Sequence, residues 1–112
     1  MTSKSPTITS RKPRRPADFA PTHPGQVLLK DYLEPMGMSR YALAKAVGVA
    51  QIRIGQIVAG RRAITPDTAL RLARYFGTSA EFWLGIQQTY DLDLARDQIG
   101  GAIEARIAPR AA

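Results

Sequence analysis

The sequence predicts an all-α domain of about five helices, and three observations carry that prediction. Between residues 22 and 98 apolar residues recur at three- and four-residue intervals, while the strict alternation of a half-buried strand is missing. Cap signals separate these apolar stretches, with Ser or Thr before them and glycine after them. Around Gly48, a small residue, a glycine and two isoleucines fall at the spacing of a helix-turn-helix.

The first helix is expected to open at Pro24, a residue suited to the first helical position, with Thr22 or His23 capping it. Val27, Leu28, Leu29, Tyr32, Leu33 and Met36 form its apolar stripe, and Pro35 with Gly37 is expected to close it. Ser39 suits the N-cap of a second helix that carries Leu43, Ala44 and Val47 and stops at Gly48. The third helix spans about 50–59 and ends at Gly60.

In the fourth helix Thr65 caps, Pro66 takes the first turn, and Ala69, Leu72, Ala73 and Phe76 follow on one face. Thr78 with Glu81 three residues on reads as the capping box of a fifth helix. Phe82, Trp83, Ile86, Tyr90 and Leu94 mark its inner side, as core or dimer interface rather than a platform for stacked bases. Gly100-Gly101 is expected to release a tail. The resulting organisation is a flexible basic arm over 1–21, a helical domain over 22–98 and a C-terminal tail over 99–112.

Composition narrows the function. The 112 residues include no cysteine, which removes disulfides, thiolate chemistry and cysteine-ligated metal. No apolar run approaches the ~18 residues needed to span a bilayer. The basic N-terminus lacks the apolar stretch of a secretory signal, and Pro6, Pro13 and Pro16 would break the helix of a transit peptide. The expected location is therefore the cytoplasm.

The net charge of +7 favours a polyanionic partner, and its distribution says more than its total. Residues 1–22 carry Lys4, Arg11, Lys12, Arg14 and Arg15 against Asp18, a net of +4. Residues 38–75 carry Arg40, Lys45, Arg53, Arg61, Arg62, Arg71 and Arg74 against Asp67 alone, a net of +6. Residues 76–104 reverse the sign to −4, with Arg96 facing Glu81, Asp91, Asp93, Asp97 and Glu104.

The chemistry concentrates in the basic block. Ala44 is small enough for two helices to cross, Gly48 suits a left-handed turn, and Ile54 and Ile57 can pack the second helix back. At ~100° per residue, Ala50, Ile54, Ile57 and Val58 share one side of that second helix. Ile52, Gly55 and Gln56 point the other way, flanked by Gln51 and Arg53.

In a DNA-binding helix-turn-helix, the outward residues of the second helix read base edges in the major groove. Glutamine can bond adenine through two atoms, isoleucine can touch a thymine methyl, and arginine can read guanine or hold a phosphate. Gln51, Ile52, Arg53 and Gln56 are the candidate base readers. Arg40, Lys45, Arg61 and Arg62 are the candidate phosphate contacts, which position a protein without specifying sequence.

Residues 22–92 resemble the HigA-type antitoxins, a branch of the XRE, lambda-repressor-like helix-turn-helix family. The resemblance rests on His23-Pro24-Gly25, Leu33-Glu34-Pro35, Gly60-Arg61-Arg62-x-Ile64-Thr65 and above all the "TSAEFWLGIQ" block at 78–87. It implies a five-helix domain that dimerises and binds operator DNA in its own promoter. It also implies a partner toxin, a small RelE-like ribonuclease that the antitoxin silences. By position, Gln51, Ile52, Arg53 and Gln56 would face bases, with Arg61 and Arg62 near the backbone. Family members often have Pro at position 50, Asn at 52, Ser at 55 and Glu at 56; here those are Ala50, Ile52, Gly55 and Gln56. The operator sequence is accordingly expected to be this protein's own.

Two other readings share the helix-turn-helix: a free-standing regulator without a toxin, and a protein-binding module that has lost DNA binding. An enzyme is not expected, because no nucleophile–base pair, catalytic residue, metal set or small-molecule cofactor site stands out. His23, the sole histidine, has no second histidine or acidic cluster at ligand spacing and is assigned to capping or packing.

Overall fold

The computed structural model describes residues 20–111. Apart from residues 20 and 21, the arm expected over 1–21 lies outside them. The described residues contain helices and no strand.

Helix α1 (24–36) begins with the His23 side chain, whose Nδ1 accepts from Gly25 N–H at 2.9 Å. It is α-helical over Pro24–Val27, widens to a π-helix over Leu28–Leu33, and returns to α over Glu34–Met36. Of the pair expected to close this helix, Pro35 sits inside its last turn. A proline interior to a helix removes a donor and crowds the preceding turn, and the widened stretch lies immediately before this one. Gly37, at φ 60°, ends α1.

Helix α2 (Arg40–Val47) starts where Ser39 Oγ accepts from Ala42 N–H at 3.0 Å, and it ends at Gly48, at φ 78°. Helix α3 (Gln51–Val58) follows after only three intervening residues, Gly48, Val49 and Ala50. Helix α4 (Pro66–Phe76) begins after Thr65, whose extended backbone fits the N-cap but whose side chain makes no capping bond.

The fifth helix, α5, departs from expectation at both ends. Its N-cap is Ser79, which accepts from Phe82 N–H at 3.0 Å. Thr78, assigned to that role from sequence, accepts instead from the indole of Trp83 at 2.8 Å. Trp83 is fully buried, so its N–H must find a partner there, and Thr78 is one turn away. At the far end Gly100 and Gly101 do not release the chain. The helix runs over Ala80–Ala95, a π-helical Arg96–Gly100 and a further α segment Gly101–Arg106.

Leu28, Leu33, Leu43, Ile54, Ile57, Ile64, Leu72 and Trp83 build the core where the helices converge. Tyr32 and Phe76 pack on Trp83, with ring centroids 5.1 and 6.2 Å away. Beneath them α1 meets α3 backbone to backbone. A Cβ built on Gly25 would stand 1.8 Å from the Ile57 carbonyl oxygen, so only glycine fits. Past residue 95, α5 extends away from this core. None of residues 96–107 is buried, and Ile99, Ile103 and Ile107 are exposed along it.

Candidate nucleic-acid interface

The helix-turn-helix geometry is present as the spacing required. Ala44 is buried where α2 meets α3, and its carbonyl accepts from the N–H groups of Gly48 and Val49 at 2.9 and 3.0 Å. The left-handed φ of Gly48 redirects the chain into α3, a conformation costly for any residue with a Cβ. Ile54, Ile57 and Val58 are buried, which fixes the opposite face of α3 outward.

That outward face forms one side of an open concavity of 560 Å³, lined by Arg40, Gln51, Ile52, Gly55, Gln56, Ala59 and Arg61. Ile52 is 66% exposed. Its apolar side chain shares the concavity with the amides of Gln51 and Gln56 and the guanidinium groups of Arg40 and Arg61. Above Gly55 the space is empty, since an added Cβ would meet nothing within 4 Å. Arg40 comes from α2 and Arg61 from the segment after α3, so two cations flank the amides of Gln51 and Gln56. This arrangement can offer paired donors and acceptors, an apolar contact and positive charge to one polyanionic surface.

Not every predicted residue joins the concavity. Lys45 is exposed on α2 but outside its lining. Arg62 reaches back to Gln56, with Nη1 donating to Oε1 at 3.1 Å. Arg53 is turned sideways, toward α4. Its Nη1 lies 2.6 Å from Asp67 Oδ2 and 3.4 Å from Thr68 Oγ1. Arg53, expected among the base-facing residues, is thus directed at α4 rather than into the concavity. Its guanidinium is committed to a neighbouring helix.

Two supporting groups were not found from sequence. Asp67 and Arg71 join α4 to the helix-turn-helix: Arg71 Nε donates to both Asp67 oxygens at 3.3 and 3.2 Å, and Arg71 Nη1 donates to the Val47 carbonyl at 2.8 Å. The bond from Arg53, followed by that from Arg71, holds the Asp67 carboxyl below its ordinary range. The available signal was that Asp67 is the lone acid of the basic block, four residues before Arg71.

The second is Gln87 on α5, which is buried. Its Oε1 accepts from Ile64 N–H at 2.8 Å, and its Nε2 donates to Asp91 Oδ1 at 2.9 Å. This pair anchors the segment that carries Arg61 and Arg62. His23, besides capping α1, meets Tyr90 edge-on at 4.9 Å. Burial lowers its pKa, against the opposing pull of Asp91. Among the described residues no group of three or more His, Asp or Glu could hold a metal ion, and no helix is long and apolar enough to cross a membrane.

The chain is similar to known proteins. A helix-turn-helix family model matches residues 29–83. The chain is 56% identical over 73 residues to virulence-associated protein I of Dichelobacter nodosus, a match covering 65% of this chain and 68% of that protein. It is 39% identical over 72 residues to antitoxin HigA-1 of Vibrio cholerae, covering 64% of this chain and 68% of that one. Among solved structures it is similar to the Pseudomonas aeruginosa antitoxin HigA with the higBA promoter. The TM-score there is 0.79 at 41% identity, over 81% of this chain and 99% of the other.

Proposed function

Because the chain belongs to the XRE helix-turn-helix family, in the branch of the HigA-type antitoxins, we propose that it binds its own operator DNA and silences a partner toxin. The family is one of DNA-binding regulators and antitoxins, not of enzymes. The observation that carries the DNA reading is the outward face of α3, with Ile52 exposed between Gln51 and Gln56 and arginines on both sides.

In this reading α3 lies in the major groove. Gln51, Ile52 and Gln56 meet base edges, and Arg40 and Arg61 hold phosphates beside them. Arg62, through its bond to Gln56, both orients that amide and adds positive charge at the backbone. Lys45 serves at the periphery. Two copies pair through the exposed stripe of α5, Leu92, Ile99 and Ile103, placing two α3 helices on successive grooves about 34 Å apart. A solitary helix end is marginal in water, so an apolar stripe there gains most from a second copy.

The toxin is a basic RelE-like ribonuclease. The acidic block over 76–104 has the sign to meet it.

Fluorescence anisotropy with the DNA upstream of the gene tests the reading. The wild-type dimer should prefer that duplex to a scrambled one, and its affinity should fall steeply with salt. Gln51→Ala and Gln56→Ala should each remove about 1–3 kcal/mol of that discrimination. Equal affinity for both duplexes would refute operator recognition. Co-purification with the product of a neighbouring gene tests the toxin separately. Absence of such a complex leaves a free-standing regulator.

A further inference from the structure

One carboxylate gathers three parts of the helix-turn-helix unit. Asp67, in the first turn of α4, takes Arg53 of α3 at 2.6 Å and Arg71 of its own helix at 3.2 Å. Arg71 in turn holds the Val47 and Gly48 carbonyls, at 2.8 and 3.3 Å, where α2 ends and the turn begins. The links run from the turn through Arg71 and Asp67 to Arg53 on the reading helix.

An acidic group is a poor choice beside a polyanion unless its charge is already matched. Asp67 is the lone acid among residues 38–75, facing seven cations, and two of those seven are bound to it. Stability does not explain its presence. The Asp67 and Arg53 side chains are 55% and 30% exposed, and exposed ion pairs contribute little. The geometric effect is larger. A guanidinium on a long side chain beside the reading face, left unbound, would swing to the phosphates of any DNA sequence. Each such contact strengthens non-specific binding through counterion release.

We propose that Asp67 is a specificity-determining positioning residue, which holds Arg53 against α4 and so withholds it from non-specific phosphate contact. Discrimination is then left to Gln51, Ile52 and Gln56. The inference rests on the DNA-binding reading above, but it concerns affinity for DNA of any sequence.

Full-length Asp67→Ala is titrated with a scrambled duplex and with the upstream duplex over a salt series, and its fold is checked by circular dichroism. On scrambled DNA the variant should bind about eightfold more tightly at 0.1 M salt, with the log–log salt slope steeper by about 0.9, one phosphate's share. The preference for the upstream duplex should narrow. Adding Arg53→Gln to Asp67→Ala should return the slope to the wild-type value. Arg53→Gln alone should leave scrambled-DNA affinity and slope unchanged, a result that stands even if Asp67→Ala does not fold.

Unchanged or weakened binding of Asp67→Ala to scrambled DNA would overturn the proposal. So would a loss of scrambled-DNA affinity in Arg53→Gln alone, since Arg53 would then already be touching phosphates. A wild-type protein with no preference for the upstream duplex would instead refute operator reading, leaving the scrambled-DNA arm to judge Asp67.

Discussion

Replacing Gln87 with methionine removes the anchor of the α3–α4 segment while keeping side-chain length and helix propensity. In the native chain Gln87 is 6% exposed and Ile64 is 2% exposed, so the bond from Ile64 N–H to Gln87 Oε1 is closed to water. A buried donor left without an acceptor costs about 1–3 kcal/mol. The bond from Gln87 Nε2 to Asp91, part-buried, contributes a smaller amount of about 0.5–1.5 kcal/mol. The more apolar methionine offsets part of this, leaving a net loss of about 2 kcal/mol.

For a domain of this size, each kcal/mol moves the unfolding midpoint by about 4–8 °C, so a drop on the order of 10 °C is expected. The single tryptophan, Trp83, is fully buried and reports urea unfolding by its fluorescence. The midpoint should fall with the slope unchanged, because the surface exposed on unfolding is the same. A Gln87→Met protein within 0.5 kcal/mol of wild type would refute the argument that Ile64 N–H depends on this side chain.

Gly25→Ala should destabilise by about 3 kcal/mol or more, because its Cβ collides with the Ile57 carbonyl and must push α1 off α3; an unchanged urea midpoint would refute that close approach. Stability should also depend on His23. Its pKa is lowered in the fold, so the unfolded chain binds the proton first, and stability falls as pH drops below about 6.5 and levels off beneath the folded-state value. Protonation also fills Nδ1, the atom that accepts from Gly25. His23→Asn keeps a capping side chain without a titratable group, so its stability should be flatter between pH 7 and 5, and an unaltered pH profile would exonerate His23.

The sequence made the helix-turn-helix legible because each of its signals is local. Ser39 caps with its own side chain, which accepts from Ala42 N–H three residues on, Gly48 needs a left-handed φ, and the stripe of Ile54, Ile57 and Val58 declares its own period. The departures lie at residues whose type suits more than one local role. Of the pair expected to close α1, Pro35 lies within its last turn and Gly37 ends it. Thr78 and Ser79 are equally plausible caps in sequence, and only the indole of Trp83 decides between them. Gly100-Gly101 reads as a stop, yet its φ values are right-handed and the helix continues.

Much of the interface was readable by the same logic. An amphipathic wheel places Gln51, Ile52 and Gln56 outward without knowledge of other helices. Arg53 defeated it because a wheel gives a direction, not a destination. Asp67 lies fourteen residues away in the chain and binds the guanidinium across to α4. Gln87 was invisible for a similar reason, since its partner is twenty-three residues distant.

The empty space over Gly55 has a bearing on how such a protein acquires a new target. Glycine in a helix interior forfeits up to about 1 kcal/mol relative to alanine, and no neighbouring atom would obstruct a Cβ at this half-buried position. Within the eight residues of α3, Ile54, Ile57 and Val58 secure the helix, while Gln51, Ile52 and Gly55 touch no part of the core. These outward positions can therefore be exchanged one at a time, with no repacking to follow. A lineage can drift from one operator to another while every intermediate still folds.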